Sequence, residues 1–469
     1  MFKGSVLLGV GILLTGCGGG SDSSSTPSSG STGGGTTPVA KNVSAVLEYV
    51  NACGMSIPAT DAAVIVHNND MSNKDVFFAD QSGNVTIENS QDTLTLSVVF
   101  RGQSEVAGVK PVHMKTYIDH PAIELGTLKH FTKDASTCEC QTTNVIVNLP
   151  DSSLFPSSSS LRNYKSIGGK SSDFGRIAFS DVEYCKDQDG QWPVLTALVK
   201  VTDDETYGAV LDNISAVSEV DANLTGQALS VNTRAPFKQY SARIGNAQHF
   251  SNSVYSSQES IHSFNSTLIE QHYVSAYSIQ NLDNIPEAED AFELSIVEKR
   301  TQDVNQTFDL TLPTLDYPAL GEILEESGSY SIAHNRDFDF VFLAVEAIHD
   351  DKPLLDWQVV APLSGRSISI DNIDIEQFIP EASLDQSVDS VLITLAAEGY
   401  DYISSYDEFL RTDIAQRNSQ AEPEESMYYF SQRSFVMSEL GFSAKAAKVI
   451  STDMPQAKST ISAKALPIR

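Results

Sequence analysis

The sequence predicts a mainly β protein, built of tandem antiparallel β-sandwich-like domains behind a flexible N-terminal tether. Three observations carry that expectation. Short apolar runs alternate with period two, as in Thr93 to Phe100 (TLTLSVVF), the spacing that turns one side of a strand into a core. Turn chemistry punctuates the runs, as in Asp187-Gln188-Asp189-Gly190, where Asp accepts local backbone bonds and Gly takes positive φ. From Tyr207 to Leu312, Ser, Thr, Asn and Gln interleave with apolar residues, which suits a sheet with one wet face.

The chain opens with Lys3 and the apolar core Ser5 to Leu14 (SVLLGVGILL). That core falls short of the roughly 20 residues a bilayer span needs and suits a secretory signal. It runs into Leu14-Thr15-Gly16-Cys17, which resembles the lipobox of bacterial lipoprotein precursors. The resemblance implies a signal peptide over 1–16 and a diacylglycerol thioether plus an N-acyl chain on Cys17. Several acyl chains make a stable membrane anchor where one does not. Position 18 is Gly rather than Asp, and Asp is the usual inner-membrane retention signal of that class. The outer membrane is therefore the expected address, and the CGGGSD start also resembles those of surface-displayed lipoproteins. Residues 17–41 continue as a Gly/Ser-rich tether with almost nothing to bury. Such a stretch cannot offset the entropy of ordering; its reach is roughly 25–30 Å on average and about 80 Å when drawn out.

A first domain over 42–138 follows, with strands read at Asn42 to Cys53, Ala62 to His67, Asp75 to Ala79, Asn84 to Glu88, Thr93 to Phe100, Pro111 to Ile118 and Ala122 to His130. Short strands at this density predict a sandwich. Ala79 to Ile87 (ADQSGNVTI), behind the Ala63 to Val66 strand, resembles the hairpin of transthyretin-like or carboxypeptidase-regulatory-like modules. Ala79 stands where those modules carry Thr, and Val85 where they carry Phe. The resemblance covers about 30 residues. It implies a sandwich used as a structural or binding accessory, and no catalytic residue transfers with it.

A second β domain is expected over 139–235. Gly175 to Cys185 and Trp192 to Val201 read there as the two arms of a hairpin around Asp187 to Gly190. A β-meander region over 236–312 and a C-terminal β domain over 313–440 come next, with strands at Phe338 to Ala347, Leu355 to Ala361, Ser367 to Ile370 and Ser390 to Ala396. Ser405-Tyr406-Asp407-Glu408 forms a capping box for a short helix through Ala415; Pro318 to Glu326 and Ala444 to Ile450 are further helical stretches. The 441–469 tail is basic: Lys445, Lys448, Lys458, Lys464 and Arg469 face Asp453.

Cysteine usage fits export. Beyond Cys17 four remain, Cys53, Cys138, Cys140 and Cys185, and an even count in an oxidising compartment reads as two disulfides. In extended Cys138-Glu139-Cys140 both thiols share one side, poorly placed to bond each other. Cys53–Cys138 and Cys140–Cys185 are the favoured pairs, with a thiolate metal site at the C-x-C pair as the alternative.

The 61 acids outnumber 30 Lys and Arg, for a formal net charge of −31. That surface excludes nucleic acid as a partner of the body and favours solubility or divalent cations. No HExxH, CxxCH, G-x-S-x-G, P-loop or dinucleotide fingerprint occurs, so no catalytic residue, resident metal or cofactor is expected. The partial calcium-loop echo at Asp187-x-Asp189-Gly190 has Cys185 and Thr196 at the terminal ligand positions, which fails an EF-hand. Acid clusters at Asp203 to Glu205, Glu287 to Asp290, Asp350-Asp351 and Glu422 to Glu425 read as solvated loops. Tyr400, Tyr402, Tyr406, Tyr428, Tyr429 and Phe430 are more suggestive, since such rings stack on sugars or peptides when they are not core. The expectation is an outer-membrane-anchored bacterial lipoprotein with a structural, adhesive or partner-binding role, its partners the membrane through the anchor and envelope proteins or an extracellular polymer. The alternatives are a lipid-anchored hydrolase or its accessory subunit, and a component of an envelope assembly complex.

Overall fold

The structure, a computed structural model, describes residues 41–438 apart from 90, 213, 215–217, 246, 256–258, 283–289, 325–327, 333–336, 369–371, 373, 380–387 and 418–422. The signal peptide, Cys17, the tether and the basic tail lie outside the described residues, as does the helical stretch at Ala444 to Ile450. The fold is mainly β and sandwich-like.

Strand Lys41–Val50 organises the first sandwich. It pairs antiparallel with Ser56–Pro58 and Asn84–Asn89, and parallel with Gly126–Phe131. Alternation works as read: in Asn84–Asn89 only Val85 and Ile87 are buried. They join Val43, Leu47, Val64, Val66, Leu96 and Val98 in one core. The turn before that strand is built by Asp80, whose carboxylate accepts from Ser82 N at 2.8 Å and Asn84 N at 2.9 Å. Gly83 sits at φ +79°, where a Cβ would land on the Leu47 carbonyl oxygen, so glycine is required twice over.

The opposing sheet of this sandwich does not stop at the domain's edge. It is one end of a 12-stranded sheet. From the far edge the order is Ala247–Val254, Phe237–Ile244, Gln271–Asn281, Asp290–Thr301, Ser426–Ser438 and Ser390–Tyr400. It continues through Phe340–His349, Lys352–Pro362, Val112–Pro121, Thr93–Arg101 and Ala63–His67 to Asn73–Phe78. Neighbours are antiparallel except at the junction, where Lys352–Pro362 runs parallel to Val112–Pro121. One sheet thus passes through the 42–138, 236–312 and 313–440 stretches.

Residues 139–235 hold a separate sandwich. One sheet is Ser158–Arg162, Leu195–Lys200, Thr206–Leu211 and Leu224–Thr225; the other is Gly169–Asp173, Arg176–Cys185, Cys140–Asn148 and Glu219–Asp221. Val145, Val147, Ile177, Phe179, Leu195, Ala197 and Val199 fill the space between them. The expected hairpin is corrected here. The Asp187 turn forms, its carboxylate accepting from Asp189 N at 3.0 Å and Gln191 N at 2.8 Å. The strands it joins pair in opposite sheets, so the turn belongs to an arch. Pro193 has no N–H to continue a ladder.

Both disulfides are present. Cys53–Cys138 closes the first sandwich with Cα atoms 5.9 Å apart, and Cys140–Cys185 joins directly opposed residues of neighbouring strands. Their separations of 85 and 45 residues correspond to about 4–5 kcal/mol each in the loop-closure picture.

Candidate binding face

The large sheet has one fully packed face. There the Tyr317–Gly321 helix, the following 3₁₀ turn Glu322–Leu324 and their neighbours cover Val341, Leu343, Trp357, Leu395 and Phe435. Farther along the same face, Phe250, Phe264, Phe308 and Leu310 cover Val274, Ala276 and Val297. The other face is divided. The small sheet covers the last four strands of that order, Val112–Pro121 to Asn73–Phe78, and Leu410 and Phe409 of helix Tyr406–Arg417 pack beside it. Beyond the helix, the apolar side chains form a cluster of their own: Tyr277, Leu294, Ala396 and Phe430, flanked by Phe237, Ile279, Ile296, Phe342 and Tyr428. Every one belongs to the sheet itself. Among the described residues no second layer contributes to that cluster.

Strand register explains the stripe. Glu398, Phe430, Ile296, Tyr277 and Phe237 are successive partners on five adjacent strands, so their side chains line up across the sheet over about 19 Å. Phe237 stacks on Tyr277 at 5.0 Å, and the rim residue Tyr255, 54% exposed, meets Phe237 edge-on at 5.6 Å. At the other end Tyr400 lies 5.4 Å from Tyr402 and 5.2 Å from Tyr428. The Arg300 guanidinium sits 5.7 Å from the Tyr273 ring and 5.9 Å from those of Tyr400 and Tyr428, while its Nε donates to Glu298 at 3.2 Å. Four of the six aromatics singled out in the sequence, Tyr400, Tyr402, Tyr428 and Phe430, therefore converge. The other two do not. Tyr406 is on the helix, its hydroxyl donating to the Ile118 and Val360 carbonyls at 2.8 and 3.0 Å, and Tyr429 packs on the opposite face.

Glu398 closes the stripe as a carboxyl only 3% exposed. Burial pushes it up to about 7, against the pull of the Lys115 ammonium and the hydroxyl of Tyr428, which donates at 3.4 Å. On the adjoining helix Asp413 pairs with Arg417. Burial alone would raise Asp413, yet Arg417 and Lys115 hold it below the usual carboxylate range. Arg417 also donates to the Leu125 carbonyl at 2.9 Å and the Tyr117 hydroxyl at 3.2 Å, which fastens the helix to the first sandwich.

Five of the histidines fall into two groups. His67, His249 and His272 are core groups with Ser97, Thr196 and Tyr240 as hydrogen-bond partners, and burial pushes each down to about 4. His113 instead meets a carboxylate, and His130 packs against His113. Their rings lie 4.2 Å apart, and His113 Nδ1 is 3.4 Å from Asp356 Oδ2. Glu346 is the register partner of Asp356; burial, then the charge of Asp356, push it up to about 7. This cluster and Arg300 were not singled out from the sequence, because the strands carrying His113 and His130, and those beside Arg300, meet the rest only through long-range pairing.

Of the acid clusters, Asp203 accepts from Lys200 at 2.7 Å and Glu205 from the Tyr207 hydroxyl at 2.6 Å, while Asp350 and Asp351 sit at positive φ. Cys140 and Cys185 lie close to Glu183, but their sulfurs are bonded to each other, which removes the thiolates a metal would need. No known family model matches the chain, and no curated protein matches it either.

Proposed function

We propose that this is an exported bacterial lipoprotein, anchored in the outer membrane through Cys17, whose β body offers the aromatic face of its large sheet to an envelope protein or extracellular polymer. The observation that carries the reading is the apolar stripe from Phe237 to Phe430, to which, among the described residues, only the sheet's own side chains contribute; its centre is buried, and Tyr255, 54% exposed, opens it to solvent at the rim. Aromatic rings with polar tips supply contact area at low entropic cost and dominate interface energetics. The lipobox-like segment at Leu14 to Cys17 supports the anchor, and the two disulfides support an oxidising compartment.

The test has two arms. Mass analysis of protein from native membranes is expected to find acyl chains on Cys17, and Cys17→Ala is expected to move the protein out of the membrane fraction. In crosslinked envelope extracts, wild-type protein is expected to capture a partner that Tyr400→Ala/Tyr428→Ala loses about tenfold or more, as hot-spot aromatics do. An unacylated Cys17, or a capture pattern unaltered by the double variant, counts against the corresponding half of the proposal.

A further inference from the structure

We propose that His113, His130, Asp356 and Glu346 form a binding site for a divalent transition-metal ion of the zinc class. It lies at the seam between the first sandwich and the rest of the large sheet. The four residues come from four strands. His113, Asp356 and Glu346 are successive register partners on Val112–Pro121, Lys352–Pro362 and Phe340–His349, so they occupy one level of one face. His130 comes from Gly126–Phe131 of the small sheet opposite, its ring 4.2 Å from that of His113. The side chains of His113 and Asp356 are 22% and 26% exposed, which leaves an ion a path from solvent.

Two features of the cluster ask for a cation. Like charges directly opposed across a strand pair destabilise a sheet, and Asp356 and Glu346 stand in that relation with no Lys or Arg ion pair to either among the described residues. Furthermore, His130 and Glu346 are half-buried and have no protein hydrogen-bond partner among the described residues, so their donor atoms are open to a ligand. A doubly charged ion answers both. Imidazole nitrogen with carboxylate oxygen is a donor set that selects zinc, copper(II) or nickel; calcium and magnesium take oxygen ligands. Burial keeps His130 neutral at pH 7, the form in which imidazole ligates.

The donors form a half-closed set. Among the described residues, three ligand atoms within 4.8 Å of one another occur only at Cys140, Glu183 and Cys185, where the sulfurs are spent on a disulfide. Metal binding therefore turns His130 and Glu346 inward onto the existing His113–Asp356 contact, and it ties the small sheet to the Lys352–Pro362 strand.

Calorimetric titration of the full chain, stripped with chelator, tests this. One zinc ion per chain is expected, with a rise in Tm, while calcium and magnesium give neither. His130→Gln and Glu346→Gln are each expected to weaken zinc binding by roughly tenfold or more. Glu346→Gln keeps the shape and removes the repulsion, so its Tm without zinc is expected to hold or rise. His349→Gln, at a surface imidazole 3.4 Å from Asp389, is expected to bind zinc as wild type does. Absence of stoichiometric uptake of zinc, copper or nickel overturns the site. So does uptake that Glu346→Gln and His130→Gln leave unchanged.

Discussion

Gly399 lies between Glu398 and Tyr400, the two residues that close one end of the aromatic stripe. A Cβ at this position would stand 2.7 Å from Phe338 Cα and closer still to the Asp337 carbonyl oxygen. Both obstacles are backbone, and the segment cannot swing aside freely. Asp339 N–H donates to the Glu398 carbonyl at 2.8 Å, and Tyr400 N–H donates to the Asp339 carboxylate at 2.7 Å. Gly399→Ala is therefore expected to destabilise the protein by roughly 1–3 kcal/mol, the usual cost of forcing extra volume into a packed site. Urea denaturation measures it, and a loss within error of zero would mean that residues 337–338 yield easily. The aromatic character of this site was legible in the sequence because Tyr400, Tyr402, Tyr428 and Phe430 are dense in type and share parity along their strands. Arg300 and Glu298 were not, since only the antiparallel register of Asp290–Thr301 with Ser426–Ser438 sets them beside those rings.

The helix Tyr406–Arg417 shows how far an element can be read locally. Ser405 caps it as the box predicts, its Oγ accepting from Glu408 N at 3.2 Å. The reciprocal arm differs: the Glu408 carboxylate accepts from Ser404, N at 2.8 Å and Oγ at 2.6 Å, rather than from Ser405. Two further residues carry it past the expected end at Ala415, to Arg417. What holds the helix in place is tertiary and was not legible. Asp413 and Arg417 form an i,i+4 pair with side chains only 15% and 11% exposed, over Tyr117 and Leu125. Removing one member of a buried pair strands the other, which costs about 3–5 kcal/mol. Arg417→Ala should fall in that range by chemical denaturation, with Asp413→Ala/Arg417→Ala losing clearly less than the two single changes added together. Equal additivity would show that the pair is too well solvated to matter. The hairpin expected around Asp187 fails for a related reason: turn chemistry is written locally, whereas the choice between continuing a sheet and crossing to the next is made by Cys140–Cys185 and by the partners of each strand.

At the scale of the whole molecule, the mainly β character follows from alternation that any segment displays, but the 12-stranded sheet does not. Its junction pairs Val112–Pro121 with Lys352–Pro362, strands far apart in sequence, and no local pattern encodes that match. The same long-range assembly buries titratable groups of both kinds, which sets how stability responds to pH. The imidazoles of His67, His120, His130, His249 and His272 are pushed by burial from 6.5 down to about 4. Between those values the unfolded chain binds protons that the folded chain refuses, so their contribution is intact above pH 6.5 and is lost as pH falls towards 4. Glu346 and Glu398, pushed up to about 7, and Asp339, pushed up to about 6, act with the opposite sign. They penalise the fold when charged, and acidification from pH 7 relieves that penalty before the free carboxyl would protonate. Five imidazoles, each worth up to roughly 3 kcal/mol by pH 4, outweigh three carboxyls. Calorimetric Tm of the metal-free protein at constant ionic strength should be nearly level between pH 8 and 7, where the uptake of protons by the buried carboxyls offsets the first cost from the imidazoles. It should begin to fall near pH 6.5 and be several degrees lower at pH 4.5. A Tm that climbs steadily down to pH 4.5 would mean that the buried histidines are solvated well enough to charge in place. Glu398→Gln separates the contributions: it removes a charge penalty present at pH 8, so Tm should rise there, and it removes one opposing carboxyl, so the decline towards pH 4.5 should steepen.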